Sequence, residues 1–194
     1  MKKIILLLVA FVALAAFFYF RTAKNFVNCE FAFDRVSSVV LADVDITNVK
    51  SLKKLNLLDG AKLLSALGNK EATLDLGVDL NVKNPNDEPA RLDGMDYILY
   101  IDERKVVEGS MEQQVLIDGK AEAKIVLPCK VNVHDILSSD NIDSIADFAF
   151  GVANNNVDTK RMKIDIKPYF TIAGKTVKFP TYITIRGDQM LSNN

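Results

Sequence analysis

Residues 72–86 constrain this chain more than any other stretch. Ala72, Leu74, Leu76, Val78, Leu80 and Val82 alternate with Thr73, Asp75, Gly77, Asp79, Asn81 and Lys83, and the run stops at Asn84-Pro85-Asn86. Successive side chains of a strand point to opposite faces, so this reads as one long strand with an apolar face and a wet face. Pro85 cannot donate to a ladder, and asparagine on either side tolerates turn dihedrals, so the strand ends there. An apolar strand face has to be covered by another layer, which sets the architecture and names no reaction.

The same period recurs downstream. Tyr97, Leu99 and Ile101 alternate before the polar turn Asp102-Glu103-Arg104-Lys105, an ordinary solvated tip, and Val106-Val107 resume a strand. Val115 and Ile117 lead to the tight-turn pair Asp118-Gly119. Ala121, Ala123, Ile125, Leu127, Cys129, Val131 and Val133 then keep strict alternation, while Pro128 on the opposite face predicts an edge strand or a bulge. Met162, Ile164 and Ile166 alternate with Lys163, Asp165 and Lys167; Phe170-Thr171-Ile172 continues to Ala173-Gly174, and Val177, Phe179, Ile183 and Ile185 close the series. Residues 31–49 are β-rich but uneven, with Val44 and Ile46 set against Asp43 and Asp45, and predict one or two strands. A short helix is expected over 57–67, capped by Asp59, with Ala61, Leu64 and Leu67 at near-helical spacing and Gly68 as its stop. A clearer one starts at Asp140, lays Ile142, Ile145, Ala146 and Ala149 on one face, ends at Gly151 and precedes the loop Asn154-Asn155-Asn156. About seven strands with one inserted α-helix predict a mainly β fold, an antiparallel β-sandwich.

The N-terminus has a different character. After Met1-Lys2-Lys3, every residue from Ile4 to Phe20 is apolar or aromatic, and Arg21 and Lys24 close the run. That length sits at the short edge of what spans roughly 30 Å of hydrocarbon as a helix. The two leading lysines favour a cytoplasmic N-terminus and an outward-facing body; Arg21 and Lys24 weaken that bias without removing it. Three readings follow. An uncleaved signal-anchor is favoured, because Phe17-Phe18-Tyr19-Phe20 prolongs the apolar run; the alternatives are cleavage near Ala13-Leu14-Ala15 and lipid attachment at Cys29. The organisation expected is a signal-anchor or signal peptide over 1–24, one β-sandwich domain over 25–187 and a flexible tail over 188–194.

Composition narrows the chemistry. The formal charge is −1, yet residues 1–24 carry four bases and no acid, leaving 20 bases against 25 acids in the body. A mildly acidic body with no basic stripe argues against a nucleic-acid partner. His134 is the only histidine and stands beside Asp135 at a strand-to-helix junction, so any Ser/His/Asp or Cys/His arrangement must use it. Ser138 and Ser139 nearby are better explained as turn or cap residues, and no nucleophile elbow or phosphate-cradling loop is present. The acid pairs Asp43/Asp45 and Asp75/Asp79 belong to the wet side of strands, and Asp140/Asp143 suit a helix N-terminus. Cys29 and Cys129 could pair in an oxidising compartment, but Cys129 falls on the apolar face of its strand and reads first as a small core residue. No catalytic, cofactor or metal site is expected.

One local signature goes further. Leu80-Asn81-Val82-Lys83-Asn84-Pro85-Asn86, then Leu92, Tyr97-Ile98-Leu99-Tyr100-Ile101-Asp102 and Val106-Val107-Glu108-Gly109 resembles the group 2 late embryogenesis abundant domain, also called the water-stress-and-hypersensitive-response domain. The resemblance covers residues 74–133, and Glu103-Arg104 departs from the usual Asn/Gly turn. It implies a small sandwich similar to fibronectin type III and immunoglobulin-like folds, no catalytic residue, a turn-forming role for Asn84, Pro85 and Asn86, and links to desiccation and stress responses. The expectation is a non-catalytic domain tethered to the outer side of the cytoplasmic membrane, with a protective or interaction role. The alternative is a carrier of a lipid or other hydrophobic ligand between the sheets, hinted at by Ala72, Ala121 and Ala123; small residues interdigitating with large ones explain them more simply. An enzyme is a distant third.

Overall fold

The computed structural model describes residues 2–68, 72–133, 149–154, 161–172, 175–188 and 191. The chain is mainly β, with antiparallel sheets and a few helices. Helix α1 (Lys2–Val27) leads into β1 (Glu30–Leu41) and β2 (Val44–Asp45), then a 3-10 turn at Leu52–Lys54 and helix α2 (Leu57–Gly68). Strands β3 (Thr73–Lys83), β4 (Ala90–Leu92), β5 (Gly94–Ile101), β6 (Arg104–Met111), β7 (Val115–Ile117) and β8 (Glu122–Asn132) follow. After a helical stretch at 149–153 come β9 (Met162–Ile172), β10 (Lys175–Lys178) and β11 (Ile183–Arg186). The described residues thus form more, shorter strands than the seven expected.

One sheet has the order β2-β1-β3-β8 and another β10-β9-β5-β6, with β11 also pairing β9; β4 and β7 make a separate ribbon. The inward residues of both large sheets join a single cluster that includes Val39, Leu74, Leu80, Leu99, Leu127 and Ile164. The edges also approach one another, β8 towards β6 and β1 towards β11. Ala72, just ahead of β3, and the five alternating apolar positions of β3 from Leu74 to Val82 are all buried, as expected. Strand β8 alternates as cleanly and lies at its sheet's edge, which is where Pro128 costs no ladder bond.

Several expectations need correction. Asp79 is not on a solvated face: it is 2% exposed, held by Ser37 Oγ at 2.5 Å, Lys124 Nζ at 3.4 Å and Arg35 Nε at 3.6 Å. Neighbouring strands supply those partners, so the carboxyl group keeps polar contacts on the covered middle of the strand's outer face. In α2 the buried residues are Leu63 and Leu67, while Ala61 and Leu64 are exposed. Its cap is Asn56, whose Oδ1 accepts from Asp59 N at 2.9 Å and whose Nδ2 donates to Asp59 Oδ2 at 2.7 Å, so Asp59 is the third residue of the helix and not its cap. Gly151 does not end its helix, which continues to Ala153; Asn154 closes it, its Nδ2 reaching Phe150 O at 2.7 Å and Val49 O at 2.9 Å. The other positions of the expected helix, Asp140, Ile142, Asp143, Ile145 and Ala146, lie outside the described residues, as do His134, Asp135, Ser138, Ser139, Asn155, Asn156, Ala173, Gly174 and most of the tail.

The hairpin signature acquires a physical meaning. The β5–β6 turn is Asp102-Glu103, both with positive φ (52° and 61°), the twist that a two-residue hairpin requires. Opposite Gly109 in the ladder stands Tyr97. A Cβ at position 109 would collide with the Tyr97 ring and hydroxyl. The bare glycine therefore lets the ring lie down, and its hydroxyl donates to Pro128 O on the edge strand of the other sheet. Burial pushes the Tyr97 phenol up to about 12, so it remains a donor. Tyrosine and glycine together latch one sheet to the other. Replacing Tyr97 by Phe should cost about 1 kcal/mol, and Gly109→Ala, which drives a methyl into the ring, about 1–3 kcal/mol. Urea denaturation followed by circular dichroism checks both.

Candidate functional site

The end of β3 carries a dense polar network. Asn84 is fully buried. Its main-chain N–H donates to Ala121 O at 2.9 Å, and its Nδ2 lies 2.8 Å from Glu88 O, 3.0 Å from Asp118 O and 3.1 Å from Ile117 O. Its Oδ1 accepts from Asn86 N at 3.1 Å and from Asn86 Nδ2 at 2.7 Å. The first of these is the side-chain mimic of a turn that asparagine forms readily. The bonds to Ala121, Asp118 and Ile117 reach a loop more than thirty residues away. That second loop is pressed close: a Cβ on Gly119 would overlap the Asp87 carbonyl, and Lys120 N donates to Asn86 O at 3.0 Å. One buried amide thus welds the loops 84–88 and 117–121 together.

Asn86 extends the weld to α1. Its Nδ2 also donates to Asn25 O at 3.0 Å, and Asn25 Nδ2 donates to Pro89 O at 3.1 Å. Asn28 N also donates to Asn25 O at 3.1 Å, so Asn86 adds a donor from the β domain to an oxygen in the last turn of α1. Arg21 Nε meets Glu88 Oε2 at 2.8 Å on the exposed side. Beneath, Ala23 and Phe26 are buried, and Phe26 meets Phe31 edge-on with ring centroids 5.4 Å apart. Burying Phe26 stabilises this junction by about 2–3 kcal/mol. The end of α1 is therefore part of the β domain. Its earlier turns are not: Ile4, Leu6, Leu7, Phe11, Val12 and Phe17 are all more than half exposed. The described side chains of α1 run unbroken only over 4–14, and among the described residues no helix is long and apolar enough to cross a membrane.

Beside the junction lies an apolar cleft of about 200 Å³, walled by Ala23 and Lys24 of α1 and by Phe170, Val177, Lys178, Phe179 and Pro180. A larger surface groove of about 550 Å³ crosses the outer face of β1, β3 and β8 where Ser38, Gly77 and Pro128 leave room. Neither gathers catalytic groups.

The remaining candidates are dispersed. Asp45 Oδ1 accepts from Thr47 N at 2.9 Å, and the Thr47 bonds hold its carboxyl below the usual range; Asp75 faces Lys130 at 3.7 Å. Among the described residues no three His, Cys, Asp or Glu converge on a common point. The hairpin tip is tied rather than bare: Arg161 pairs with Asp102, and Lys163 reaches Glu103 at 2.7 Å while lying 4.2 Å from the Tyr100 ring centroid. Cys29 and Cys129 are both buried free thiols, and Cys29 Sγ donates to Asn25 O at 3.5 Å. The Asn84 hub and the α1 clasp were missed in sequence, because a turn signature carries no sign of which distant carbonyls it will meet.

Asn84→Asp keeps the shape but turns a donor into a second acceptor facing three carbonyls, and should destabilise the domain by about 2–4 kcal/mol in chemical denaturation. Asn86→Ala should cost about 1 kcal/mol and raise amide exchange at residues 25–29 while leaving the centre of β3 protected. Burial pushes both thiols up to about 12 from an ordinary 9.0. Between those values the unfolded chain sheds the thiol protons and the folded chain keeps them, so stability falls as pH rises through that window. Iodoacetamide at pH 8 should leave both cysteines of the native protein unmodified and alkylate both after denaturation.

Comparison with known proteins gives this geometry a lineage. No curated protein matches the chain. Among solved structures, one from Archaeoglobus fulgidus aligns with 61% of this chain and 88% of its own at 14% identity and a TM-score of 0.31. The solution structure of a late embryogenesis abundant protein aligns with 95% of this chain and 86% of its own at 15% identity and a TM-score of 0.35. A beta-glucuronidase of glycoside hydrolase family 2 aligns with 56% of this chain and 9% of its own at 11% identity and a TM-score of 0.28. The family profile of the late embryogenesis abundant proteins (LEA_2) matches residues 79–186, more than half of the chain and the span that holds both the Asn84 hub and the Tyr97–Gly109 latch. The chain belongs to the LEA_2 family of late embryogenesis abundant proteins.

Proposed function

We propose that this protein is a non-catalytic domain held at the outer side of the cytoplasmic membrane by α1, with a protective or interaction role under water or envelope stress. The observation that carries the reading is the division of α1: its first turns leave apolar side chains bare, and its last turn is clasped to the domain by Asn86, Glu88 and Phe26. Bare apolar turns need a non-aqueous environment, and Lys2 and Lys3 ahead of them favour a cytoplasmic start. The clasp also separates the three ways of processing the N-terminus. Lipid attachment at Cys29 requires removal of everything before it, which would strip Arg21, Ala23, Asn25 and Phe26 from the fold. Cleavage near residues 13–15 would spare them but discard the bare turns. An uncleaved anchor uses both halves.

In this reading the two sheets form an antiparallel β-sandwich of the fibronectin type III or immunoglobulin-like kind, supported by their shared cluster and approaching edges. Carriage of a lipid between the sheets has less support, since the facing residues Val39, Leu74, Leu80, Leu99 and Leu127 are all fully buried against one another. Alkaline carbonate extraction tests the tether: the full-length protein is expected to stay with the membrane pellet, and recovery in the supernatant would contradict it. External protease on intact spheroplasts should digest the β domain. Cells lacking the protein should lose viability on drying relative to the parent.

A further inference from the structure

Helix α2 shows two apolar faces where a helix packed on a domain needs one. Leu63 and Leu67 are buried. Leu57, Leu58, Ala61, Leu64 and Gly68 fall on a second face, roughly 120° wide, with Ser65 as its one polar member. All of them are exposed, Leu57 at 90% and Leu58 at 82%. We propose that this face docks the domain on the surface of a second, anionic bilayer opposite the one that holds α1, an inference that rests on the membrane reading above.

Charge selects the occupant. Residues 50–68 hold four lysines and a single acid, Asp59, in a body that elsewhere carries more acids than bases. Lys50, Lys53 and Lys54 are exposed, and among the described residues no ion pair or hydrogen bond engages their ammonium groups. Lys62, at the edge of the stripe, donates to a main-chain carbonyl, Asp43 O, at 3.3 Å. Leucines along one helix face with lysines beside them suit the headgroup–acyl boundary of an anionic membrane, where such a face sinks about 5–10 Å. A charged surface attracts each lysine within a Debye length, so the ammonium groups need no common aim. Protein interfaces are anchored by Trp, Tyr and Arg, and the stripe holds none of them.

Position sets which bilayer it is. Helix α2 meets β2, and β2 pairs with Val40 and Leu41 of β1, which lie opposite Asp75 and Leu74 at the start of β3. The clasp on α1 lies past the other end of β3, eleven strand residues or about 35 Å away. The first turns of α1 are bare, so that helix leaves the domain at the clasp and does not run back over the sheets towards α2. A separation of about 35 Å is well beyond the roughly 10 Å over which lipid charge acts. The bilayer around α1 therefore does not attract the lysines of α2, whereas a surface approaching the far end of the domain does. The protein then bridges two membranes, one spanned at one end and one touched at the other.

The chain contains no tryptophan, so a single introduced indole reports its own surroundings. Full-length Leu57→Trp and Phe17→Trp variants would be reconstituted in phosphatidylcholine vesicles and mixed with a second vesicle population. Leu57→Trp is expected to be quenched when the second vesicles carry brominated phosphatidylglycerol, and not when they carry only brominated phosphatidylcholine. Adding Lys50→Gln, Lys53→Gln and Lys54→Gln should lower the affinity for the anionic vesicles by roughly fivefold per lysine. Leu58→Ser with Leu64→Ser should abolish the quenching and leave the circular dichroism spectrum unchanged, since both side chains are exposed. Quenching of Leu57→Trp by brominated phosphatidylglycerol placed only in its own bilayer would overturn the bridging. So would a blue shift that grows with protein density in the absence of second vesicles, which would assign the face to a second copy of the chain. Phe17→Trp, read in its own brominated bilayer, keeps the two readings apart. If it is quenched there while Leu57→Trp ignores the anionic second vesicles, the docking falls and the tether stands; if it is not quenched, both fall.

Discussion

A single buried amide organises this molecule. Asn84 has its main chain, both amide hydrogens and its oxygen engaged at once, and its partners come from three parts of the chain: its own turn, the loop before β8 and, through Asn86, the end of α1. A buried polar group is stabilising only when fully satisfied, and a fully satisfied one tolerates a single arrangement of what surrounds it. That property converts a strand-ending turn into a fixed angle between helix and sheet. Leucine in its place would pack against the core and take away the donor that reaches Glu88 O, Asp118 O and Ile117 O.

The second fixed point lies between the sheets. Tyr97 reaches Pro128 O only because Gly109 offers no side chain, and Pro128 offers a free carbonyl on an edge strand whose missing N–H no neighbour requires. Hydrophobic burial of Leu74, Leu80, Leu99 and Leu127 drives the sheets together but fixes no register. The phenol-to-carbonyl bond does. The Asn-Pro-Asn turn and the tyrosine–glycine pair of the hairpin thus form two polar fasteners on an apolar body.

Much of the body was legible in the sequence and the fasteners were not. Strands β3 and β8 follow the period of two because their pairing runs without a register shift from Thr73–Asn132 to Lys83–Glu122, and Pro128 lies on an edge strand, one of the two outcomes it predicted. Strand β1 hid its pattern because register shifts between Phe33 and Arg35 and between Val36 and Ser38 reset the alternation twice. Asp79 was placed in water because its neighbours along the strand are polar; Ser37 and Lys124, which cover it, are 42 and 45 positions away. In α2, the spacing of Ala61, Leu64 and Leu67 fitted a helix but chose the wrong face, since only the sheet below decides that Leu63 is covered. Local periodicity reports elements, whereas satisfaction of a buried polar group depends on which elements meet.

The account's central claim is that helix and β domain move as one body because Asn84 and Asn86 clasp the last turn of α1. Pulsed electron paramagnetic resonance tests it most directly, with spin labels on Phe17→Cys and Glu122→Cys in a chain whose native cysteines are replaced by alanine, reconstituted in lipid nanodiscs. The account requires one narrow distance distribution that broadens when Asn86 is also changed to Ala. A distribution already broad with Asn84 and Asn86 intact would contradict it.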